Sequence, residues 1–269
     1  MSFGPLVEPD WLRDHLGEPG LTVVDCRFVL GHPGAGERAW HEGHIPGAAV
    51  LDVDRDLSDR PGAEGRHPLP PADRFEAAAR RAGIDAAARV VAYDEAGEGG
   101  AARLWWLLRH FGHDAVAVLD GGLAAWRAAG GDLRAEPETA PAGDFVARPR
   151  EGDTVTAADV TRHRLLDARA PERYRGEHEP VDPVAGHIPG ASNAPATELA
   201  PGGRYLPAAA LRERLGDAPF VAYCGSGVTA CTLLVAAELA GVEARLYPGS
   251  WSEWVAGGRP VATVDPERG

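Results

Sequence analysis

The residues best suited to chemistry stand at the end of a short apolar run, FVAY at 220–223, where Cys224 is followed by a glycine-containing loop. A helical stretch, ACTLLVAAELAG at 230–241, comes directly after the loop. A cysteine in this position faces several backbone N–H groups and the positive end of the helix dipole, and both stabilise a thiolate. The sequence therefore predicts a nucleophile at neutral pH that needs no neighbouring base. The loop residues predicted to surround the sulfur are Gly225, Ser226, Gly227, Val228 and Thr229.

A loop that encloses an anion on a cysteine fits two chemistries, phosphate ester hydrolysis and sulfur transfer through a persulfide. Cysteine phosphatases need an arginine six residues after the nucleophile, which binds the phosphoryl oxygens through two hydrogen bonds. That position is Ala230 here, and the sequence has no arginine between residues 224 and 244. The small, neutral loop leaves room for a terminal sulfur but offers no clamp for tetrahedral oxygens. Sulfur transfer is the favoured interpretation.

The charge balance and the missing residue types exclude several other functions. The 27 basic residues are all arginine, and they face 40 Asp and Glu residues, so the net charge is −13. This charge argues against nucleic acid or an anionic membrane as the main partner. Without lysine the chain cannot form a Schiff base, anchor pyridoxal phosphate or build a phosphate-loop lysine site. Any bound anion must be held by arginine, histidine or backbone amides.

The cysteine usage and the N-terminal residues predict a reducing environment. Cys26, Cys224 and Cys231 are too few and too scattered for a disulfide framework or a four-ligand zinc site. We therefore expect reduced thiols, no metal and no cofactor. No apolar run is long enough to span a bilayer, and the first ten residues, MSFGPLVEPD, lack the basic and apolar regions of an export signal. The expected location is the cytoplasm, without membrane contact.

The chain repeats itself over the length of a whole domain. The sequence GHIPGA occurs at 43–48 and again at 186–191, an offset of 143 residues. Each copy is preceded by an apolar run that ends in Asp-x-Arg, TVVDCR at 22–27 and RLLDAR at 164–169, and each is followed by further matches in the same order. This order indicates a duplicated domain. The predicted boundaries are a first domain at 1–135, a linker rich in Pro and Gly at 136–153, and a second domain at 154–269.

The two copies differ at the position of the nucleophile. The first copy has Asp94 where the second has Cys224, so we expect the first domain to be non-catalytic and the second to be catalytic. Within each copy, short β-branched runs alternate with stretches whose apolar residues have helical spacing, such as Leu104, Leu107 and Leu108. This alternation predicts an α/β fold of two tandem domains, each a parallel sheet flanked by helices. Ligands of such sheets bind at the carboxyl ends of the strands.

Together these features resemble the two-domain sulfurtransferases of the rhodanese family, over essentially the whole chain. The resemblance is carried by the repeated Asp-x-Arg and GHIPGA sequences, by Cys224 in the second copy only, and by YPGSWSEW at 247–254. It implies two tandem rhodanese-like domains. The loop CGSGVTA is similar to that of the 3-mercaptopyruvate branch, whereas the thiosulfate branch typically has basic residues there. The activity implied is transfer of sulfur from 3-mercaptopyruvate, through a Cys224 persulfide, to a thiol acceptor such as thioredoxin or glutathione, or to cyanide.

The resemblance also implies roles for residues outside the loop. Asp54 and His67 match family positions that support a proton relay through Ser226. The hydroxyl of Ser226 can donate a hydrogen bond to the enolate that leaves when 3-mercaptopyruvate loses its sulfur. The predicted catalytic residues are therefore Cys224, Ser226, Asp54 and His67.

One arginine for the donor is matched and another is missing. Arg173 matches a family arginine that binds the donor's carboxylate. Animal members of the 3-mercaptopyruvate type have a second arginine shortly after it, but the stretch EHEPVDPVAG at 177–186 contains none. Arg175 and His178 are the candidates to replace it.

Two other functions stay open. Thiosulfate is the alternative sulfur donor, and a dianion of this kind profits from positive charge beside the cysteine. A module that binds a persulfide or an anion without catalysis is the other alternative. Residues that occur in both copies are expected to hold the fold rather than the substrate, and the two remaining cysteines are expected to pack in the core. These structural residues are Arg27, Arg169, His44, His187, Cys26 and Cys231.

Overall fold

The chain divides into two compact units, which a computed structural model describes for residues 3–136 and 141–263. The first unit consists of Met1–Asp59, Pro70–Arg150 and Gly202–Tyr205, and the second of Arg60–Leu69, Glu151–Pro201 and Leu206–Gly269. Within the described ranges, no helix combines the length and the apolar character that crossing a bilayer requires.

The first unit is built on a parallel sheet. Its strands are β1 (Leu6–Val7), β2 (Leu21–Asp25), β3 (Ala49–Val50), β4 (Arg89–Tyr93) and β5 (Val116–Leu119). Their order in the sheet is β1-β5-β4-β2-β3. The apolar residues of β4 are fully buried, because helices cover both faces of a parallel sheet. The helices are α1 (Pro9–His15), α2 (Ala35–Glu42), α3 (Ala72–Arg81), α4 (Gly100–His110) and α5 (Gly122–Ala128).

The second unit repeats this plan with a smaller sheet. Its strands are β6 (Leu165–Asp167), β7 (Ser192–Asn193), β8 (Phe220–Tyr223) and β9 (Ala244–Leu246), all parallel, in the order β7-β6-β8-β9. The helices are α6 (Pro171–Arg175), α7 (Ala196–Leu199), α8 (Ala208–Leu215), α9 (Ala230–Ala240) and α10 (Ser250–Ala256), with 3₁₀ turns at Val160–Arg162 and Pro201–Gly203. The predicted fold class, two domains that each have a parallel sheet flanked by helices, is confirmed.

A buried ion pair recurs at the same place in both units. Arg27 donates from Nε and Nη2 to Oδ2 of Asp25 at 2.9 and 2.7 Å. Arg169 makes the same pair with Asp167, at 3.1 and 2.6 Å. Each arginine also donates to the backbone carbonyl just before the histidine of the GHIPG sequence, and so joins a strand end to this turn. The two carbonyls are those of Gly43, at 2.8 Å, and Gly186, at 2.6 Å.

The histidines of the repeated turn have matching surroundings. The ring of His44 stacks on Trp40 with 4.2 Å between centroids, and its Nδ1 donates to the Trp40 carbonyl at 2.8 Å. The ring of His187 stacks on Tyr174 at 3.9 Å, and its Nδ1 donates to the Tyr174 carbonyl at 2.8 Å. These contacts agree with the structural role predicted for both histidines.

Two segments pack with a different unit from the one that the predicted boundaries give. Residues 60–69 fall inside the predicted first domain but pack with the second unit, and residues 202–205 fall inside the predicted second domain but pack with the first. Both segments are irregular and lie outside the matched parts of the repeat. A sequence repeat shows which segments are alike, but it does not show against which sheet an unmatched loop packs.

Part of the predicted linker, residues 136–153, has a defined place on the first unit. Phe145 is buried, and the backbone N–H of Gly143 donates to the carbonyl of Arg80 at 2.8 Å. The linker therefore covers the first unit after its last helix. Linker residues 137–140, and residues 264–269 of the predicted second domain, lie outside the described residues.

The buried pair predicts a large stability loss when only its cation is removed. Arg27→Met leaves the Asp25 carboxylate buried without its partner, so we expect the free energy of unfolding to fall by about 3–5 kcal/mol. Arg13→Met is the control, because the Arg13–Asp10 pair has exposed side chains, at 46% and 72%, and should contribute less than about 1 kcal/mol. Urea unfolding of both variants measures the difference. Equal losses would contradict a structural role for Arg27.

Candidate functional site

Cys224 lies at the carboxyl end of β8, in the middle of the second unit's sheet. It is buried, and its Sγ accepts a hydrogen bond from the backbone N–H of Gly227 at 3.1 Å. Its own N–H donates to Oγ of Ser250 at 3.1 Å. The loop therefore directs an amide donor at the sulfur, as in backbone loops that bind anions.

The loop is attached to the first turn of α10. The carbonyl of Cys224 accepts the backbone N–H of Trp251 at 3.0 Å, and the carbonyl of Gly225 accepts that of Ser252 at 2.9 Å. These hydrogen bonds satisfy N–H groups that have no partner within a helix. They also hold the loop in one shape, so its amides are arranged before any substrate arrives.

Two residues near the sulfur have left-handed backbone conformations. Gly227 has φ 82°, and a Cβ there would lie 2.3 Å from the carbonyl oxygen of Pro248, so only glycine fits. Ser250 has φ 54° and is the one non-glycine residue with positive φ in the described part of the chain. Its Oγ donates to the carbonyl of Tyr247 at 2.9 Å. Ser250 was not predicted from the sequence, although the matching residue of the first copy is a glycine, Gly122, which has the same conformation with φ 59°.

The end of the loop leads directly into α9. Val228 is buried, and Thr229 immediately precedes the helix. The carbonyl of Val228 accepts the N–H of Cys231 at 3.0 Å, and that of Thr229 accepts the N–H of Thr232 at 3.0 Å. The positive end of α9 therefore begins where the loop ends. The predicted contact of Val228 and Thr229 with the substrate stays a prediction.

The matching loop of the first unit surrounds a carboxyl group of the protein itself. The side chain of Asp94 is buried and accepts backbone N–H groups from Gly97 at 2.8 Å, Gly99 at 3.0 Å and Ala101 at 3.2 Å. The same type of loop thus gathers its amides around a negative group. Burial, followed by the charge of Glu98, raises the pKa of Asp94 to about 7, against the lowering by these N–H groups.

His67 and Ser226 come together in the second unit. Nδ1 of His67 lies 2.7 Å from Oγ of Ser226, and both side chains are buried. The segment before His67 is held on α10, because the backbone N–H of Arg66 donates to Oγ of Ser252 at 3.0 Å. Gly65 approaches α10 so closely that a Cβ would lie 2.8 Å from the Gly249 carbonyl oxygen. The histidine therefore belongs to the second unit, although the other segments of this unit begin only at Glu151.

Two arginines, one of them not predicted, lie beside the loop. A Cβ on Gly225 would be 3.1 Å from Nη2 of Arg66 and 3.5 Å from Nη2 of Arg173. Arg173 donates to Glu179 at 2.6 and 3.0 Å and to Asp182 at 3.3 Å. Arg66 donates to Asp182 at 2.8 and 3.4 Å. Sequence analysis found Arg173 by its resemblance but not Arg66, because a contact between residues 66 and 182 leaves no local pattern.

The candidates for the missing second arginine lie elsewhere. Arg175 donates to Glu177 at 2.7 and 2.8 Å, and its side chain is 40% exposed. His178 is exposed as well. The three atoms nearest to a Cβ built on Gly225 belong to Arg66 and Arg173, not to Arg175 or His178.

Asp54 belongs to the first unit. It is half-buried in the turn after β3, where its backbone N–H donates to Oδ1 of Asp52 at 3.0 Å. Its role in a relay through Ser226 stays a prediction. In the part of the chain that the structure describes, no group of three or more His, Cys, Asp or Glu side chains is placed to hold a metal ion.

Comparison with known proteins accounts for the repeat and the loop. A model of the rhodanese-like domain matches the chain twice, over residues 8–129 and 152–257. The chain belongs to the rhodanese-like family. It is 47% identical over 284 residues to a probable 3-mercaptopyruvate sulfurtransferase of Pseudomonas aeruginosa, covering 98% of this chain and 100% of the relative. It is 42% identical over 253 residues to a putative thiosulfate sulfurtransferase, SseB, of Mycobacterium tuberculosis, covering 88% of each.

A solved structure agrees with this membership. The 3-mercaptopyruvate sulfurtransferase from Leishmania major superposes on the rhodanese-like chain with a TM-score of 0.86 at 30% identity, covering 97% of this chain and 76% of that one. The predicted family is therefore confirmed. Relatives of this rhodanese-like chain are named for either of the two sulfur donors considered.

The buried carboxyl group of Asp94 predicts that the stability of the protein depends on pH. An aspartate in an unfolded chain has a pKa near 4, so folding raises the affinity of Asp94 for its proton. Between about pH 4 and pH 7 the unfolded chain binds fewer protons, and the free energy of unfolding falls as the pH rises through this window. Asp94→Asn removes this component. Calorimetry should show a smaller drop in Tm from pH 5 to pH 8 for the variant than for wild type.

Asp114→Asn serves as the control for this measurement. A hydrogen bond from Arg150 lowers the pKa of Asp114, so its contribution is lost only as the pH falls through that lowered value. This variant should keep the wild-type drop between pH 5 and pH 8. Equal drops in wild type and Asp94→Asn would contradict the raised pKa of Asp94.

Proposed function

We propose that this rhodanese-like chain is a 3-mercaptopyruvate sulfurtransferase that works through a persulfide on Cys224. The observation that carries the proposal is the loop itself, in which Sγ of Cys224 accepts the Gly227 amide and the next polar side chain, Ser226, lies 2.7 Å from His67. A nucleophile, an anion-stabilising amide and a supported proton donor are the three parts that removal of sulfur from 3-mercaptopyruvate needs.

In the first step the Cys224 thiolate attacks the sulfur of 3-mercaptopyruvate. A new S–S bond forms, the C–S bond of the donor breaks, and its electron pair stays on the departing carbon as the enolate of pyruvate. Ser226 gives its hydroxyl proton to the enolate and takes one from His67 through the short contact between Oγ and Nδ1. Cys224 then carries a persulfide, whose negative form the loop amides stabilise.

In the second step an acceptor attacks the outer sulfur of the persulfide. A thiolate acceptor forms its own persulfide and cyanide forms thiocyanate, and in both cases Cys224 returns as a thiolate. The proposed acceptors are thioredoxin, glutathione or cyanide, with ping-pong kinetics. The proposed compartment is the cytoplasm, which is supported by three cysteines that are all free in the structure.

Thiosulfate is the second candidate donor. The guanidinium groups of Arg66 and Arg173 beside Gly225 provide positive charge for a dianion, and a relative from Mycobacterium tuberculosis is named a putative thiosulfate sulfurtransferase. The neutral residues at 226, 228 and 229 favour 3-mercaptopyruvate instead, because they leave no charge within the loop for a sulfonate group.

Replacing the nucleophile should abolish turnover. We expect Cys224→Ser to lower kcat/KM for 3-mercaptopyruvate on the order of 10³-fold or more, since a serine hydroxyl does not form a persulfide. Pyruvate release and thiocyanate formation, with 3-mercaptopyruvate and thiosulfate side by side, measure it. Cys26→Ser is the matched control. Burial and the nearby negative charge of Asp25 raise the pKa of Cys26 well above its ordinary value, so this variant should keep its activity.

The activity of the wild-type chain in the same assay distinguishes the two sulfur donors from each other and from a binding module without catalysis. Faster turnover with thiosulfate would overturn the choice of donor. Wild-type inactivity with both donors would favour a module that binds a persulfide or an anion without catalysis.

Ser226→Ala should separate the two donors. We expect kcat with 3-mercaptopyruvate to fall about 100-fold, because the enolate loses its proton donor. Turnover of thiosulfate should change little, because sulfite leaves as a stable anion without a proton. Steady-state rates with both donors test this difference. A similar loss with both would mean that Ser226 only shapes the loop.

A further inference from the structure

Arg66 lies where a second cation for the donor would be useful, and nothing in the sequence points to it. Its guanidinium and that of Arg173 approach Gly225, the residue next to Cys224, from the same side of the loop, at 3.1 and 3.5 Å from a Cβ built there. Both side chains are partly accessible, at 23% and 17%. An anion bound between them would be adjacent to the nucleophile.

The two guanidinium groups share one carboxylate, that of Asp182. Oδ1 of Asp182 accepts from Arg66 at 2.8 Å, and Oδ2 accepts from Arg66 at 3.4 Å and from Arg173 at 3.3 Å. Nε of Arg66 is buried and has no hydrogen-bond partner among the described residues. Nε of Arg66 is therefore available to donate to a further oxygen, because a buried N–H without a partner is costly.

Glu179 and Asp182 are held differently. Glu179 contacts Arg173 and Arg169 and also accepts backbone N–H groups within its own loop. Burial alone would raise the pKa of Glu179, but the hydrogen bonds from Arg173 and the backbone hold it below its ordinary value. Among the described residues, the side chain of Asp182 accepts hydrogen bonds from the two arginines alone. It is itself only 4% exposed, but the neighbouring Val181 is 40% exposed. Asp182 is thus held by fewer partners than Glu179.

The charges of this cluster balance without a substrate. The cluster consists of three arginines and three carboxylates, Arg66, Arg169, Arg173, Asp167, Glu179 and Asp182. A donor carboxylate that entered while all three protein carboxylates stayed would leave an uncompensated buried charge, which is costly. Exchange of one carboxylate for another keeps the balance.

We infer that Arg66 and Arg173 together bind the carboxylate of the sulfur donor, and that Asp182 occupies this site in the free enzyme until the donor displaces it. This inference rests on the proposed function and assigns the second cation of the donor site to Arg66 in place of Arg175 or His178. In 3-mercaptopyruvate only the carbonyl carbon and the CH₂ group separate the carboxylate from the sulfur. A carboxylate held beside Gly225 therefore keeps the donor sulfur near Cys224.

The test compares two donors that differ only in the carboxylate. These are 3-mercaptopyruvate and mercaptoacetone, its methyl ketone analogue, which also leaves as an enolate. Arg66→Gln should raise KM for 3-mercaptopyruvate about 10- to 100-fold with kcat nearly kept, because it removes a charge-assisted contact made to both the bound donor and the transition state. It should leave kcat/KM for mercaptoacetone within about twofold. If the substitution instead disordered the loop, kcat/KM would fall with both donors.

A second variant tests the displacement. Asp182→Asn removes the competing charge, so KM for 3-mercaptopyruvate should fall several-fold, whereas KM for mercaptoacetone should not change. Arg175→Gln is the matched control, because Arg175 is paired with Glu177 and exposed. It should leave all constants unchanged. An unchanged KM in Arg66→Gln, or a raised KM in Arg175→Gln, would overturn the assignment.

A single-turnover assay distinguishes an error in the assignment of Arg66 from an error in the proposed function. Wild-type enzyme mixed with one equivalent of 3-mercaptopyruvate, without added acceptor, should release about one pyruvate for each chain. If it releases none, the proposed function is wrong. If pyruvate is released and Arg66→Gln retains the wild-type KM, the function stands and Arg66 is not part of the donor site.

Discussion

The second unit depends on the contacts of a single buried guanidinium. Arg169 pairs with Asp167 at the end of β6, donates to the carbonyl of Gly186 before the GHIPG turn, contacts Glu179 at 3.2 Å, and lies 4.5 Å from the ring centroid of Trp251 in α10. A strand, a turn, an acidic loop and a helix therefore meet at one planar cation. Because α10 in turn holds the carbonyl groups of Cys224 and Gly225, the orientation of the sulfur depends on a residue that is not part of its loop.

The duplication separates the residues that hold the fold from those that carry the chemistry. Arg27 repeats the pairing of Arg169, yet the first unit has an aspartate, Asp94, where the second has Cys224. The loop of the first unit surrounds the Asp94 side chain. The loop of the second unit surrounds the sulfur of Cys224, an atom that can accept a second sulfur. The recurring ion pair holds the fold, and the position that differs is that of the proposed nucleophile.

Sequence reasoning succeeded wherever the relevant interactions are local. The parallel sheets follow from alternating strand and helix patterns, and the loop at Cys224 is a continuous strand, turn and helix. It failed for Arg66 and Ser250, for different reasons. The partner of Arg66 is 116 residues away, and no periodic pattern connects two irregular loops. Ser250 has a left-handed backbone conformation that serine rarely adopts, so this conformation could not be predicted from the residue type. Which unit the segment 60–69 joins likewise depends on packing alone.

The placement of residues 202–205 has a consequence for biosynthesis. The N–H of Gly121 donates to the carbonyl of Gly203 at 3.0 Å, and that of Tyr205 donates to Oδ1 of Asp120 at 2.9 Å. The first unit thus takes part of its structure from a stretch made well after its last helix, while the second takes residues 60–69 from a stretch made long before its own strands. On the ribosome, the first unit cannot complete these contacts until residue 205 has emerged, and residues 60–69 have no partner until the second unit has been made.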